Sequence, residues 1–319
     1  MLSKNPSLLR KICAISSLIA TVSSADAAIL FYDGFAAGGT SPGAGQYISS
    51  PSSDTGITND SLVRTAINNV GNGQMPATTG FSVGAGTGGW KTTDNVSGGV
   101  YGRVVAGGLT YSGLTTTAGS VNIFRTTSSA DAQVKTFSRN LVTGTGSGAT
   151  NLYFSALMSF ETGVSGQVGI AQPTNLLAFG FTAGGNVTVI GSQEVVGVNK
   201  VLATTVGTYT AGTYLLVAHV YGANLVDIYL NPTNFTDQSA NAGTRILTGV
   251  ALNGFALGSS IAEVRIGANT GNNIVGPDFN FDELHGATTW AEAFVVPEPH
   301  AASLALLAGL AGLARRRRA

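Results

Sequence analysis

The residues whose types and spacing could do chemistry in this chain are carboxylates. The densest group is Asp278-Phe279-Asn280-Phe281-Asp282-Glu283, where Asp278, Asn280 and Asp282 alternate and would share one face of a strand. Such alternation is the simplest way to aim two carboxylates at one glycosidic bond, or to offer oxygens to a calcium ion. Neither pattern is complete. The Glu-x-Asp-x-x-Glu order of sandwich glycosidases is missing. Read as a calcium loop, the segment has Glu283 where a glycine belongs and Thr289 where a glutamate belongs. Asp278, Asn280 and Asp282 stand as the calcium candidates, yet Phe279 and Phe281 account for the segment as a strand with one wet face. No cofactor is expected. Glu161, Glu194 and Glu263 are isolated, and adjacent Asp282 and Glu283 would point to opposite faces of a regular strand. No acid and base are therefore set apart for hydrolysis, and no catalytic residue is expected.

Two short motifs match catalytic signatures in letters only. Gly80-Phe81-Ser82-Val83-Gly84 fits a nucleophile elbow, but a glycine-rich run follows the serine where a helix is required. Gly84 to Gly89 fits G-x-G-x-x-G without the strand before it and the helix after it that a dinucleotide site needs. His219 lies in an apolar strand and reads as a hydrogen-bonded core or edge residue, His285 ends a strand, and His300 belongs to the tail. Three scattered histidines make neither a metal cluster nor a triad. Ligand binding demands less: Trp90, Tyr101, Tyr111 and the asparagine-rich loops could stack on a sugar or hydrogen-bond to it without any perturbed group.

The elements that must position these side chains are strands. Apolar segments of period two alternate with Gly, Asn and Thr clusters, and no convincing helix interrupts them. Strands are expected over 29–35, 100–105, 121–125, 133–137, 152–161, 176–182, 187–190, 213–221, 225–230, 264–266 and 278–285. Ala183-Gly184-Gly185-Asn186 and Gly222-Ala223-Asn224 tolerate the positive φ of hairpin loops, so the strands on either side of each should pair antiparallel. The region 38–89 is poorer in strand signal and is expected to supply long loops. Many short strands without helices indicate an all-β sandwich or barrel.

The charge balance excludes one class of partner. The chain carries 16 basic and 16 acidic residues. Removing Lys4, Arg10, Lys11, Arg315 to Arg318 and Asp26 with the end segments, and keeping Glu298, leaves nine basic against fifteen acidic residues, a net charge near −6. No basic run survives between them, so no nucleic-acid footprint is expected.

Those end segments carry the addressing information. Lys4, Arg10 and Lys11 precede an apolar run over 12–22, and Ala25-Asp26-Ala27 offers the small-x-small site of signal peptidase, at Ala25 and Ala27. The single cysteine, Cys13, would leave with this signal peptide, and the mature chain would hold no disulfide. At the other end, Val296-Pro297-Glu298-Pro299 precedes an apolar run over 301–314 and then Arg315, Arg316, Arg317 and Arg318. As a helix that run would be about 21 Å long, short against a hydrocarbon core of about 30 Å. The arginines would hold its end on the cytoplasmic side. The two prolines force an extended segment in front of it, open to a peptidase.

The order Pro-Glu-Pro, apolar helix, arginine cluster resembles the PEP-CTERM sorting signal, also called VPEP or "ice-binding protein C-terminal". The resemblance implies export across the inner membrane of a Gram-negative bacterium, transient retention there by the tail, processing by an exosortase, and a final place at the cell surface or outside it. The patches at 115–117, 126–127 and 204–205 lack the regular threonine repeat that an ice-matching face would need. Thr210 to Val217, Val226 to Pro232 and Asn280 to Leu284 are similar to the LamG-like, concanavalin A-like jelly roll, in which first and last strands pair. On that resemblance Phe31-Tyr32-Asp33 should lie beside Phe279-Asn280-Phe281-Asp282.

The expected organisation is thus a signal peptide over 1–27, an antiparallel β-sandwich domain over 28–294, and a sorting signal over 295–319, with an apolar helix at each end. The expected function is that of an exported, non-enzymatic surface or matrix protein. Its partners would be signal peptidase, exosortase and extracellular polysaccharide. The alternative is a glycan-active enzyme of the same fold, a glycosidase or lyase.

Overall fold

The structure, a computed structural model, describes residues 29–35, 47–49, 78–79, 81, 90–92, 100–117, 119–125, 134–193, 200–222, 224–269 and 279–296. The expected signal peptide with Ala25 and Ala27, Glu194, Asp278, and the expected sorting signal from Pro297 to Arg318 lie outside the described residues. Among the described residues no helix is long and apolar enough to cross a membrane.

Two antiparallel sheets face each other as a sandwich. With strands numbered in chain order, one sheet runs β15 (Arg245–Ala251), β14 (Leu225–Leu230), β13 (Gly212–Tyr221), β8 (Asn151–Phe160), β17 (Phe279–Ala287), β6 (Gly119–Arg125), β5 (Val100–Ala106), β2 (Tyr47–Ser49). On it β1 (Ile29–Asp33) pairs with β17, and β3 (Thr78–Thr79) pairs with β1. The other sheet runs β12 (Lys200–Thr204), β11 (Val187–Gln193), β10 (Asn175–Phe181), β9 (Ser165–Ala171), β16 (Glu263–Asn269), β7 (Val134–Asn140), β4 (Lys91–Thr92). The expected all-β sandwich is the observed fold, and both expected hairpins, β10 to β11 and β13 to β14, form antiparallel pairs.

Alternation along each strand builds the core. Phe154, Ala156, Met158 and Phe160 from β8 and Leu216, Ala218 and Val220 from β13 point inward. They meet Val168, Ile170, Leu177, Phe179, Phe181, Val187, Val189 and Ile266 of the second sheet. Burying such chains at about 25 cal/mol per Å² of apolar surface is the main driving force. The in-between residues of β8 and β13, namely Tyr153, Leu157, Leu215 and Val217, are apolar too, because their outer face is covered by Trp290, Ala293 and Phe294. Ala291–Phe294 is a 3-10 turn docked there, and Ser155 Oγ donates to Ala293 O at 2.5 Å.

The pairing of first and last strands is present, in a register that differs from the expected one. Phe31, Tyr32 and Asp33 lie opposite Gly286, His285 and Leu284, whereas Phe279 to Phe281 pair with β6. The cause is a break in β17: Glu283 has φ 49°, and its ladder to β8 shifts register between Asp282 and His285. The break divides one edge of β17 between two partners. The Phe31 ring covers Gly286, occupying the space a Cβ would need. Gly286→Ala should therefore push that ring out of the core and lower stability by about 1–3 kcal/mol, read as a fall in urea midpoint at unchanged m-value.

Candidate ligand-binding groove

Of the carboxylates singled out by sequence, Asp282 and Glu283 are sealed inside the sandwich, and Asp33 is sealed there with them. Asp33, Asp282 and Glu283 are each 0% exposed. Asp33 Oδ2 accepts from Arg139 Nη1 at 2.7 Å and from Trp90 Nε1 at 3.0 Å, and its Oδ1 accepts from Phe35 N at 3.1 Å. Arg139 is itself buried, and its guanidinium lies 4.1 Å from the centre of the Phe81 ring. Truncating Arg139 would leave Asp33 as an uncompensated buried charge, a loss on the order of 3–5 kcal/mol.

Asp282 and Glu283 serve a loop. Because Glu283 is in the left-handed region, the two neighbours do not diverge as they would on a regular strand. Asp282 Oδ2 accepts from Leu109 N at 2.8 Å, and Glu283 accepts from Thr117 N, so the pair clamps both ends of the 109–117 segment. Tyr32 donates to Glu283 Oε2 at 2.8 Å, and His285 Nε2 lies 3.4 Å from the same oxygen. Burial and the neighbouring Glu283 push the Asp282 carboxyl up to about 9, while burial pushes His285 down despite its contact with Glu283.

The other sequence candidates are dispersed. Asn280 Oδ1 accepts from Asn122 Nδ2 at 3.0 Å, and Asp282 is held as above. Among the described residues no group of three His, Asp or Glu side chains is placed to hold a metal. Glu161 is exposed at the end of β8, and Glu263 is paired with Arg265 on the other sheet. His219 is hydrogen-bonded as expected. It stacks on Tyr153 at 4.2 Å, and its ring nitrogens lie 3.1 Å from Asn151 Oδ1 and 2.9 Å from Gln238 Nε2. Burial pushes it down to about 4.

The expected sugar-stacking residues require correction. Trp90 is 1% exposed and spends its N–H on Asp33, since an indole in a core needs a buried acceptor. Tyr111 is half-buried against Phe235 and donates to Pro232 O at 3.2 Å. The asparagine-rich loop after β14 uses its amides on itself: Asn241 Oδ1 accepts from Thr233 N and Asn234 N, and its Nδ2 donates to Asn234 O and Asp237 O. Tyr101 falls in β5, and its side chain lies outside the description.

An open concavity occurs instead on the outer face of the second sheet. It has a volume of about 300 Å³, within the range of small-ligand sites, and crosses β16, β9, β10, β11 and β12. Val168, Val187, Val189 and Ile266 point to the core, so Gln167, Thr188, Ile190 and Gly267 face outward by alternation. Ser165, Asn269, Thr182 and Thr204 supply further polar atoms, and Val201, 57% exposed, supplies an apolar rim. No ionisable side chain lines it.

No family model matches the chain, and no curated protein matches it. Among solved structures it is similar to the CBM2 module of the evolved Dit of Lactobacillus casei BL23 phage J-1, at 12% identity over 61% of this chain and 91% of that one, with a TM-score of 0.38. The globular domain of T. cruzi calreticulin aligns at 11% identity over 63% and 84%, with a TM-score of 0.41. The Caenorhabditis elegans galectin LEC-6 aligns at 12% identity over 52% and 95%, with a TM-score of 0.30. Likeness at this level does not carry a shared ligand.

Sequence reasoning missed the groove because it missed β9 and β12. In Ser165-Gly166-Gln167-Val168-Gly169-Ile170-Ala171 only Val168 and Ile170 mark the inner face, and two glycines dilute the alternation. The period was present; its amplitude was small.

The buried acid makes a pH prediction. Asp282 holds its proton in the folded state up to about 9, whereas an ordinary carboxyl loses it near 3.8. Folding therefore takes up a proton between those values, and this group's stabilisation is full below about pH 4 and lost as pH rises toward 9. His219 acts oppositely: it is kept neutral down to about 4, and its contribution is lost as pH falls from 6.5. Asp282→Asn should flatten the alkaline decline in urea midpoint that the unchanged protein shows between about pH 5 and about pH 9. Parallel slopes for the two proteins would mean that Asp282 is ionised in the fold.

Proposed function

We propose that this chain is an exported, non-enzymatic surface or matrix protein whose sandwich contacts extracellular polysaccharide through the groove of the second sheet. One observation carries the reading: the groove is uncharged, while Asp33, Asp282 and Glu283 are closed off from solvent in backbone and side-chain bonds. A hydrolase needs an acid and a base exposed to one cleft. Here these three carboxylates serve as acceptors that fasten strands and a loop, and the polar groups of the groove are amides and hydroxyls suited to binding without chemical change.

Export and sorting rest on the ends of the sequence, with Ala25 and Ala27 as the signal peptidase site and Pro297, Glu298 and Pro299 before the apolar run and Arg315 to Arg318. Intact mass of the protein from its native host should show a chain that begins near Ala28 and ends near Pro297 to Pro299. A secreted form that retains 301–319 would overturn the sorting half. For the sandwich, affinity electrophoresis against a broad polysaccharide panel should show retardation in at least one gel, with no reducing ends released from any. Release of reducing ends that ceases in Asp282→Asn or Glu263→Gln would favour the glycosidase or lyase reading instead.

A further inference from the structure

The second sheet carries a row of residues in register whose chemistry narrows the ligand. Backbone pairing aligns Thr136 with Gly267, Gly267 with Gln167, Gln167 with Gly180, Gly180 with Thr188, and Thr188 with Thr204. The row crosses six strands at right angles, a span of about 24 Å at about 4.8 Å per strand. Its members face away from the core, and its middle portion forms the floor of the groove.

Gln167 is the only side chain in the centre of this row, because both of its cross-strand neighbours are glycines. Gly267 lines the groove on one side of the carboxamide, and on the other Gly180 adds no side chain, its Cβ space being taken by the backbone of β9. Gln167 is half-buried, and none of the hydrogen bonds among the described residues engages its carboxamide. A carboxamide with an open acceptor and two open donors suits a ligand that offers both hydroxyl hydrogens and hydroxyl oxygens. The adjacent row in register, Ala178, Ile190 and Val201, is apolar and gives the same trough one greasy wall. A sugar ring has this split character, with C–H groups on its faces and hydroxyls at its rim.

Charge decides between sugar classes. With no cation in the lining, a uronate or sulfated sugar would bring an anion into a partly desolvated trough with nothing to pair it, which is costly. Resting on the proposed polysaccharide contact, we infer that the groove takes a neutral, unbranched glycan lying across the strands, along the row, and that Gln167 is its specificity-determining residue. Branches would meet Gln167 or the Ile190 and Val201 wall.

The test uses the secreted protein and isothermal titration with neutral probes (linear β-glucan, xylan and mannan oligosaccharides) and anionic ones (polygalacturonate and alginate oligosaccharides). Binding should be confined to a neutral probe. Gln167→Ala should weaken it about tenfold, the worth of one to two neutral hydrogen bonds. Val201→Glu, at an exposed position, should weaken it further, and Arg245→Ala, on the other sheet, should leave it unchanged. Thermal melting of Gln167→Ala and Val201→Glu should match the unchanged protein, since neither Gln167 nor Val201 carries core packing. Neutral-glycan binding that survives both Gln167→Ala and Val201→Glu would overturn this inference and leave the polysaccharide contact standing elsewhere on the molecule. Preference for the anionic probes would overturn it as well. Absence of binding to every probe would overturn both the inference and the reading it rests on.

Discussion

The ion pair between Asp33 and Arg139 is the constraint on which much of the sandwich depends. Asp33 ends the first strand, in one sheet, and Arg139 lies in β7, in the other, so a bond of 2.7 Å with both partners buried ties the two layers together. Such a pair is stable only if the remaining donors and acceptors are met. Trp90 and Phe35 meet those of Asp33, and the Phe81 ring lies against the guanidinium. Segments from three separate parts of the chain are thereby fixed around one carboxylate. An apolar pair would hold the sheets as well, but it would not specify which residue sits opposite which. A single charge that must find a single partner sets the relation of the layers.

A second constraint follows from the break at Glu283. A continuous β17 would present Asp282 and Glu283 to opposite faces, and one of them would be buried without donors. The left-handed residue lets both reach the 109–117 segment, with Leu109 N on one carboxylate and Thr117 N on the other. That segment then brings Leu109, Tyr111 and Leu114 onto the outer face of the first sheet, against the cluster that includes Trp290 and Phe294. The strain of a glutamate at φ 49°, roughly 1–3 kcal/mol, is offset by two satisfied carboxylates and a covered apolar face.

The fold was legible in the sequence wherever apolar alternation had amplitude. Leu152 to Phe160 and Thr213 to Tyr221 declare themselves because they are apolar on both faces, and the two hairpins because glycine and asparagine mark their turns. The pairing of first and last strands followed from resemblance, but its register did not, since a bulge has no reliable signature in a single sequence. Trp90 was misassigned for a related reason. An aromatic in a glycine-rich region reads as exposed until the buried acceptor for its N–H, 57 residues away, is known. The groove was illegible altogether: Gln167 lies in a strand weakened by Gly166 and Gly169, and its cross-strand neighbours Gly180 and Gly267 appear only when three strands are laid in register.

That register also explains why the second sheet can be rich in glycine and still be a stable layer. A glycine inside a strand costs backbone entropy and gives no side-chain contact. At Gly166 the missing Cβ is filled by the Phe279 ring, so the glycine serves core packing. At Gly180 the space a Cβ would occupy is taken by the backbone of β9, so the strand can accept no other residue there. The close approach that requires glycine at Gly180 is therefore the same feature that leaves Gln167 without a neighbour on that side. The lack of a side chain beside Gln167 is thus a consequence of how β9 and β10 pack, and a ligand on this face would meet a surface already fixed by the fold. Little ordering of the protein would be required on binding, which would lower the entropic cost of filling a shallow, uncharged groove.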